Sequence, residues 1–189
     1  MKTSKMGRTI AEKQATRRDI LRRVLSIVLL LLSAVPMLGG GVCAMWVIPV
    51  IVCICMYEQP YFCMAAGIIG GIAIDLATGA APGTNAIYLV IFATAASMLF
   101  SHLLAKSFLH YLPVTALCAL LHGGLRYGIQ AWLLRRPDCD VLWSAVLWPS
   151  FQKTILAAVL IYLLYLPIAR LLTKRVQSMD AAAVQRPTP

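Results

Sequence analysis

Acidic side chains are scarce in this chain. Only seven Asp and Glu occur among 189 residues, and all charged residues together make up 13% of it. Soluble globular domains carry about 25% charged residues, so a water-soluble globule is excluded. Catalytic signatures are missing as well: there is no H-E-x-x-H helix, no G-x-S-x-G nucleophile turn and no phosphate-cradling glycine loop. Between residues 24 and 172 the acids are Glu58, Asp75, Asp138 and Asp140, and the last two sit in a polar loop where solvated charge is the simple reading. The six cysteines show no metal-site spacing. Cys53 and Cys55, two apart on a helix, point their thiols about 200° from each other, which a single ion does not bridge. With Cys43, Cys63 and Cys118 they read as small apolar side chains. Cys43 and Cys139 both fall near the expected outer face, where a disulfide is permitted. His102 and His110 flank Lys106 and read as interfacial. These gaps predict a protein without catalytic activity, metal or cofactor.

What the chain has in abundance is apolar surface. Hydrophobic residues make up 60%, and the mean hydropathy is +0.80. Disordered chains are poor in such residues. A membrane-spanning helix needs about 20 of them, and six apolar segments follow one another at about 20–39, 42–58, 60–77, 83–105, 108–133 and 147–172. Gly39-Gly40-Gly41, Gln59-Pro60, Thr78 to Pro82 and Lys106-Ser107 separate the earlier ones, and a polar loop from Leu134 to Val146 separates the last two. The expected fold is an all-α polytopic membrane helix bundle: a basic arm at 1–19, a six-span domain at 20–172 and a tail at 173–189. A four-span reading, with a re-entrant hairpin in the second and third segments, keeps both termini on one side.

The net charge of +10 could suggest a nucleic-acid binder, but its distribution argues for topology. Eight of the 17 Lys and Arg lie in residues 1–23, and Lys106, Arg170, Lys174, Arg175 and Arg186 fall on the same side of a six-span arrangement. Arg135, Arg136 and Lys153 fall on the other side, and Arg126 lies inside a span. Positive residues stay on the cytoplasmic side, which predicts both termini there and no nucleic-acid partner. The basic start resembles a signal peptide, but Val42-Cys43-Ala44 is a poor cleavage site and more spans follow, so the first apolar run is expected to remain as a span. The arm itself suits anionic lipid headgroups.

One stretch carries a pattern. From Gly67 to Gly83 the chain reads GIIGGIAIDLATGAAPG, placing Gly67, Gly71, Asp75, Gly79 and Gly83 four residues apart. On a helix, Gly67, Gly71 and Asp75 share one ridge. Bare glycine lets another helix approach along it, either within the bundle or from a partner. Gly79 and Pro82-Gly83 end this helix and start the next, with Asn85 in its first turn. An ionisable residue inside a membrane faces protein or water, so Asp75 needs company. His122 and Arg126 share a face of the fifth segment, and Lys153 begins the sixth. A polar cluster of Asp75, His122, Arg126 and Lys153 is expected, with Arg126 or Lys153 neutralising Asp75.

At these residues the chain resembles the MreD family of bacterial rod-shape-determining proteins. Gly67-x3-Gly71-x3-Asp75-Leu, then Gly79 and Gly83 opening the next span, carry the resemblance, supported by size, the six-span plan and a last span ending basic. The resemblance implies an S-component-like fold and a non-catalytic scaffold in the bacterial inner membrane. It also implies MreC as partner, together with MreB, RodA and its transpeptidase, in lateral peptidoglycan synthesis and cell-shape maintenance. The rival reading is the vitamin-binding S-component of an energy-coupling-factor transporter. Such proteins typically show a small A-x-x-x-A ridge on the first span, and Val24 to Ala34 has no such pair.

Overall fold

The computed structural model describes residues 20–36, 45–134, 144 and 147–184. Side chains are described through residue 125 in the fifth helix, with residue 128, and through residue 166 in the sixth. Every described element is helical: α1 (residues 20–34), α2 (Val47–Tyr57), α3 (Pro60–Thr78), α4 (Thr84–His102), α5 (Phe108–Leu134) and α6 (Trp148–Val184).

Four of these helices, α3, α4, α5 and α6, are long and apolar enough to cross a membrane. The chain is therefore an all-helical protein of membrane character. Prolines and glycines set the boundaries. Gln59 is extended before Pro60, which occupies the first turn of α3, as the steric demands of proline require. Gly79 (φ 63°) closes α3 and Gly83 (φ 95°) opens α4, both in the left-handed region that a Cβ disfavours.

The second apolar segment differs from expectation. It forms a helix of only 11 residues, about 17 Å long against a hydrocarbon core of about 30 Å; residues 42–44 lie outside the described residues. Every residue from Val47 to Met56 is buried. A helix apolar on all sides belongs in a core, and α2 packs against α3, α4, α5 and α6. Cys53 and Cys55 are both buried despite pointing apart, because protein surrounds α2 on every side. The last helix also departs from expectation, running on to Val184 through much of the segment read as a tail.

Buried polar contacts tie the helices together. The Tyr111 hydroxyl, fully buried on α5, lies 3.2 Å from the Pro49 carbonyl on α2 and 3.3 Å from the Ala158 carbonyl on α6, and donates to them. Ser26 on α1 and Tyr165 on α6 share a 3.1 Å hydrogen bond. The Met45 N–H donates to the Thr154 hydroxyl on α6 at 3.0 Å.

Candidate functional site

The glycine ridge of α3 faces α4. A methyl group added at Gly71 would fall 2.2 Å from the Ala86 Cα and 2.4 Å from its nitrogen, and one at Gly67 would fall 2.9 Å from the Leu89 carbonyl oxygen. Backbone lies against backbone, as at small-residue contacts between membrane helices. Of the two uses open to this ridge, packing inside the chain is the one these contacts describe. Gly70, one residue along, serves another face: a Cβ there meets Ile51 at 2.9 Å, Val47 at 3.0 Å and Leu30 at 3.4 Å. Three neighbouring helices therefore converge on Gly67-Ile-Ile-Gly70-Gly71.

The ridge ends at Asp75, which is 2% exposed. Its Oδ2 accepts the Gly83 N–H at 2.7 Å, and its Oδ1 accepts the Asn85 N–H at 3.2 Å and the Asn85 side-chain amide at 2.6 Å. The first N–H groups of a helix have no partner within it and carry partial positive charge. Asp75 supplies that cap to α4 from the preceding helix, reaching over the turn that Gly79 and Gly83 make. Gly79 and Gly83 meet no neighbour where a Cβ would stand; their role is backbone conformation.

The network continues into α5. With the Asn85 amide nitrogen donating to a carboxylate, its oxygen is left as an acceptor, 2.9 Å from His122 Nε2. That nitrogen is then the protonated one. His122 is fully buried and stands edge-on to Tyr88, with ring centres 6.1 Å apart. Asp75, Asn85 and His122 thus form one chain of hydrogen bonds across α3, α4 and α5.

The donors that the structure shows on Asp75 are not the expected basic side chains Arg126 or Lys153 but groups at the start of α4. Among the described residues its partners are Gly83 and Asn85, which together give the carboxylate three donors. Lys153 is exposed on α6. Arg126 belongs to α5, one turn beyond His122, and its side chain lies outside the described residues, as do Cys43 and Cys139 and the basic arm before residue 20.

A second polar site had no warning in the pattern. Glu58, at the α2–α3 turn, has a side chain 1% exposed and pairs with Arg22 and, at 3.6 Å, with Arg23. Arg23 also stacks 5.5 Å over the Phe62 ring, and Lys106 stands 5.8 Å from the Tyr57 ring centre. The scarcity of acids was the available signal: Glu58 is the only one between Asp19 and Asp75. The last basic pair of the N-terminal segment therefore anchors α1 to the bundle.

Among the described residues no group of three or more His, Cys, Asp or Glu is arranged to hold a metal ion. The free thiols of Cys53, Cys55, Cys63 and Cys118 are buried, with Cys55 donating to the Ala93 carbonyl at 3.3 Å. His102 is exposed, and His110 Nδ1 shares a 2.7 Å hydrogen bond with Ser107. The arrangement offers rigid helix packing and a buried relay between a carboxylate and an imidazole. Comparison with family models, with curated proteins and with solved structures yields no match.

Proposed function

We propose that this chain is a non-catalytic membrane scaffold of the MreD type. It would sit in a bacterial inner membrane with six membrane segments and both termini cytoplasmic, and would join MreC, MreB, RodA and its transpeptidase in lateral wall synthesis. The observation that carries the reading is the Gly67-Gly71-Asp75 ridge, in which two glycines admit the α4 backbone and the carboxylate caps that same helix. The motif behind the resemblance therefore has a coherent physical role, holding α3 and α4 as one rigid hairpin and linking it to α5. A protein with little mass outside its helices acts on partners through helix faces, short loops and tails. Because the ridge is covered from within, partner contacts belong on the lipid-facing sides.

Deletion in the host tests this. Loss of the chain should turn rod-shaped cells round, and the intact chain should restore the rods. Cells that keep their shape, or nanomolar binding of a vitamin by the purified protein, would replace the scaffold reading with another.

A further inference from the structure

Among the buried free thiols, two meet. Cys53 and Cys55 point away from each other on α2. Cys53 turns toward Tyr111 on α5, whereas Cys55 turns toward Cys63 in the first turn of α3. The Glu58-Gln59 turn joins α2 to α3, so Cys55 and Cys63 face each other across a tight hairpin. Their sulfurs stand within hydrogen-bonding reach of each other. Each also donates to a backbone carbonyl, Cys55 to that of Ala93 on α4 at 3.3 Å and Cys63 to that of Glu58 at 3.7 Å. Two thiols in contact on neighbouring elements are what a disulfide requires.

The surroundings make the two thiols unequal. The Ser97 hydroxyl, 0% exposed on α4, stands beside Cys63 and has no other partner among the described residues. It is a donor in reserve for a negative sulfur. Cys63 also lies nearer a way in. Its N–H donates to the Gln59 carbonyl at 3.1 Å, at the start of α3, and Gln59 and Tyr61 are exposed beside it. Helix ends open at little cost. Opening this turn uncovers Cys63 before Cys55, which belongs to the helix that protein surrounds.

We propose that Cys55 and Cys63 are a redox pair, closed to a disulfide by an organic hydroperoxide dissolved in the bilayer. The Cys63 sulfur attacks one peroxide oxygen, the O–O bond breaks, and the alcohol leaves with the thiol proton. Cys63 is then a sulfenic acid. The Cys55 sulfur attacks it, the S–S bond forms, and water leaves with the second proton. Two thiols give up two electrons, and the hydroperoxide takes both as it becomes alcohol and water. A dithiol reopens the pair, its own disulfide forming in exchange. The bond closes a ring from Cys55 to Cys63 around the turn that carries Glu58, the anchor of α1. This chemistry is independent of any role in cell shape.

The test uses the full chain in detergent, reduced, freed of reductant and then exposed to tert-butyl hydroperoxide. Free thiols are blocked with N-ethylmaleimide after denaturation, and chymotrypsin cuts at Tyr57, Tyr61 and Phe62 between the two cysteines. The fragments holding Cys55 and Cys63 should be recovered joined, two hydrogens lighter than their sum, with Cys53 and Cys118 blocked. Dithiothreitol should separate them. Cys55→Ser should stop at the sulfenic acid, trapped by dimedone on Cys63, and Cys63→Ser should leave Cys55 unoxidised. Ser97→Ala should slow closure about tenfold, the worth of a hydrogen bond to a charged partner. Helical circular dichroism and a single elution peak check that each variant is folded. Cys55 and Cys63 both recovered blocked from the treated wild type, or joined to Cys53 or Cys118 as often as to each other, would overturn the proposal. A sulfenic acid on Cys55 in Cys63→Ser, or an unchanged rate in Ser97→Ala, would overturn the assignment of Cys63 as the attacking sulfur.

Discussion

The Asp75 carboxylate accepts both the backbone and the side-chain N–H of Asn85, at 3.2 and 2.6 Å. One residue thus receives the start of the next helix and orients the amide that receives the following one. The pairing across α3, α4 and α5 is made with hydrogen bonds among buried groups, where a missing partner is costly.

Replacing Asp75 by Ala removes the cap of α4 and strands the Asn85 amide. A loss of about 2–4 kcal/mol is expected, read from unfolding in detergent. Asn85→Ala should cost a similar amount, and the double variant should fall short of the sum by about 1 kcal/mol or more. Strict additivity would mean that the two residues act independently.

The approach of α3 to α4 makes glycine positions unequal. Gly71→Ala places a methyl group against the Ala86 backbone, which cannot yield as a side chain would, and should destabilise by about 1–3 kcal/mol. Gly124→Ala on α5 meets nothing within 4 Å and should be neutral or add up to about 1 kcal/mol through helix propensity. Thermal unfolding of the two variants side by side checks the contrast.

The hold of Glu58 on α1 is open to protease mapping. Glu58→Gln leaves Arg22 and Arg23 facing an uncharged amide. Breaking a fully buried pair costs about 3–5 kcal/mol; partial exposure of both arginines puts the expected cost nearer about 2 kcal/mol. Trypsin should then cut after Arg22 and Arg23 several-fold faster, while cleavage after Arg17 and Arg18 keeps its wild-type rate. Unchanged peptide maps would show that the pair does not anchor α1.

Tyr111 tests the central helix. Tyr111→Phe keeps the ring against Tyr162, whose centre lies 5.1 Å away, and removes the hydroxyl that reaches Pro49 and Ala158. About 1 kcal/mol should be lost, measured by the unfolding midpoint.

Much of this architecture was legible residue by residue, because its punctuation is local. Pro60, Gly79 and Gly83 placed the ends of α3 and α4 within a few residues of Pro60–Thr78 and Thr84–His102. The fate of α2 was hidden, since an apolar run reads the same whether lipid or protein surrounds it. Asp75 stood out because buried charge is costly, yet its partners did not. A backbone N–H at a helix start is not a residue type, so a reading of side chains alone offers only basic residues as its company. Asn85 was visible in the first turn of α4, but its tie to His122 spans 37 residues. The Arg22–Glu58 pair spans 36, and no periodicity reports such a contact.

The scaffold reading rests finally on company. The tagged chain, extracted in mild detergent from membranes of its own host, should carry MreC with it in near-equal amount. A folded, abundant chain recovered repeatedly without MreC would rule the scaffold assignment out.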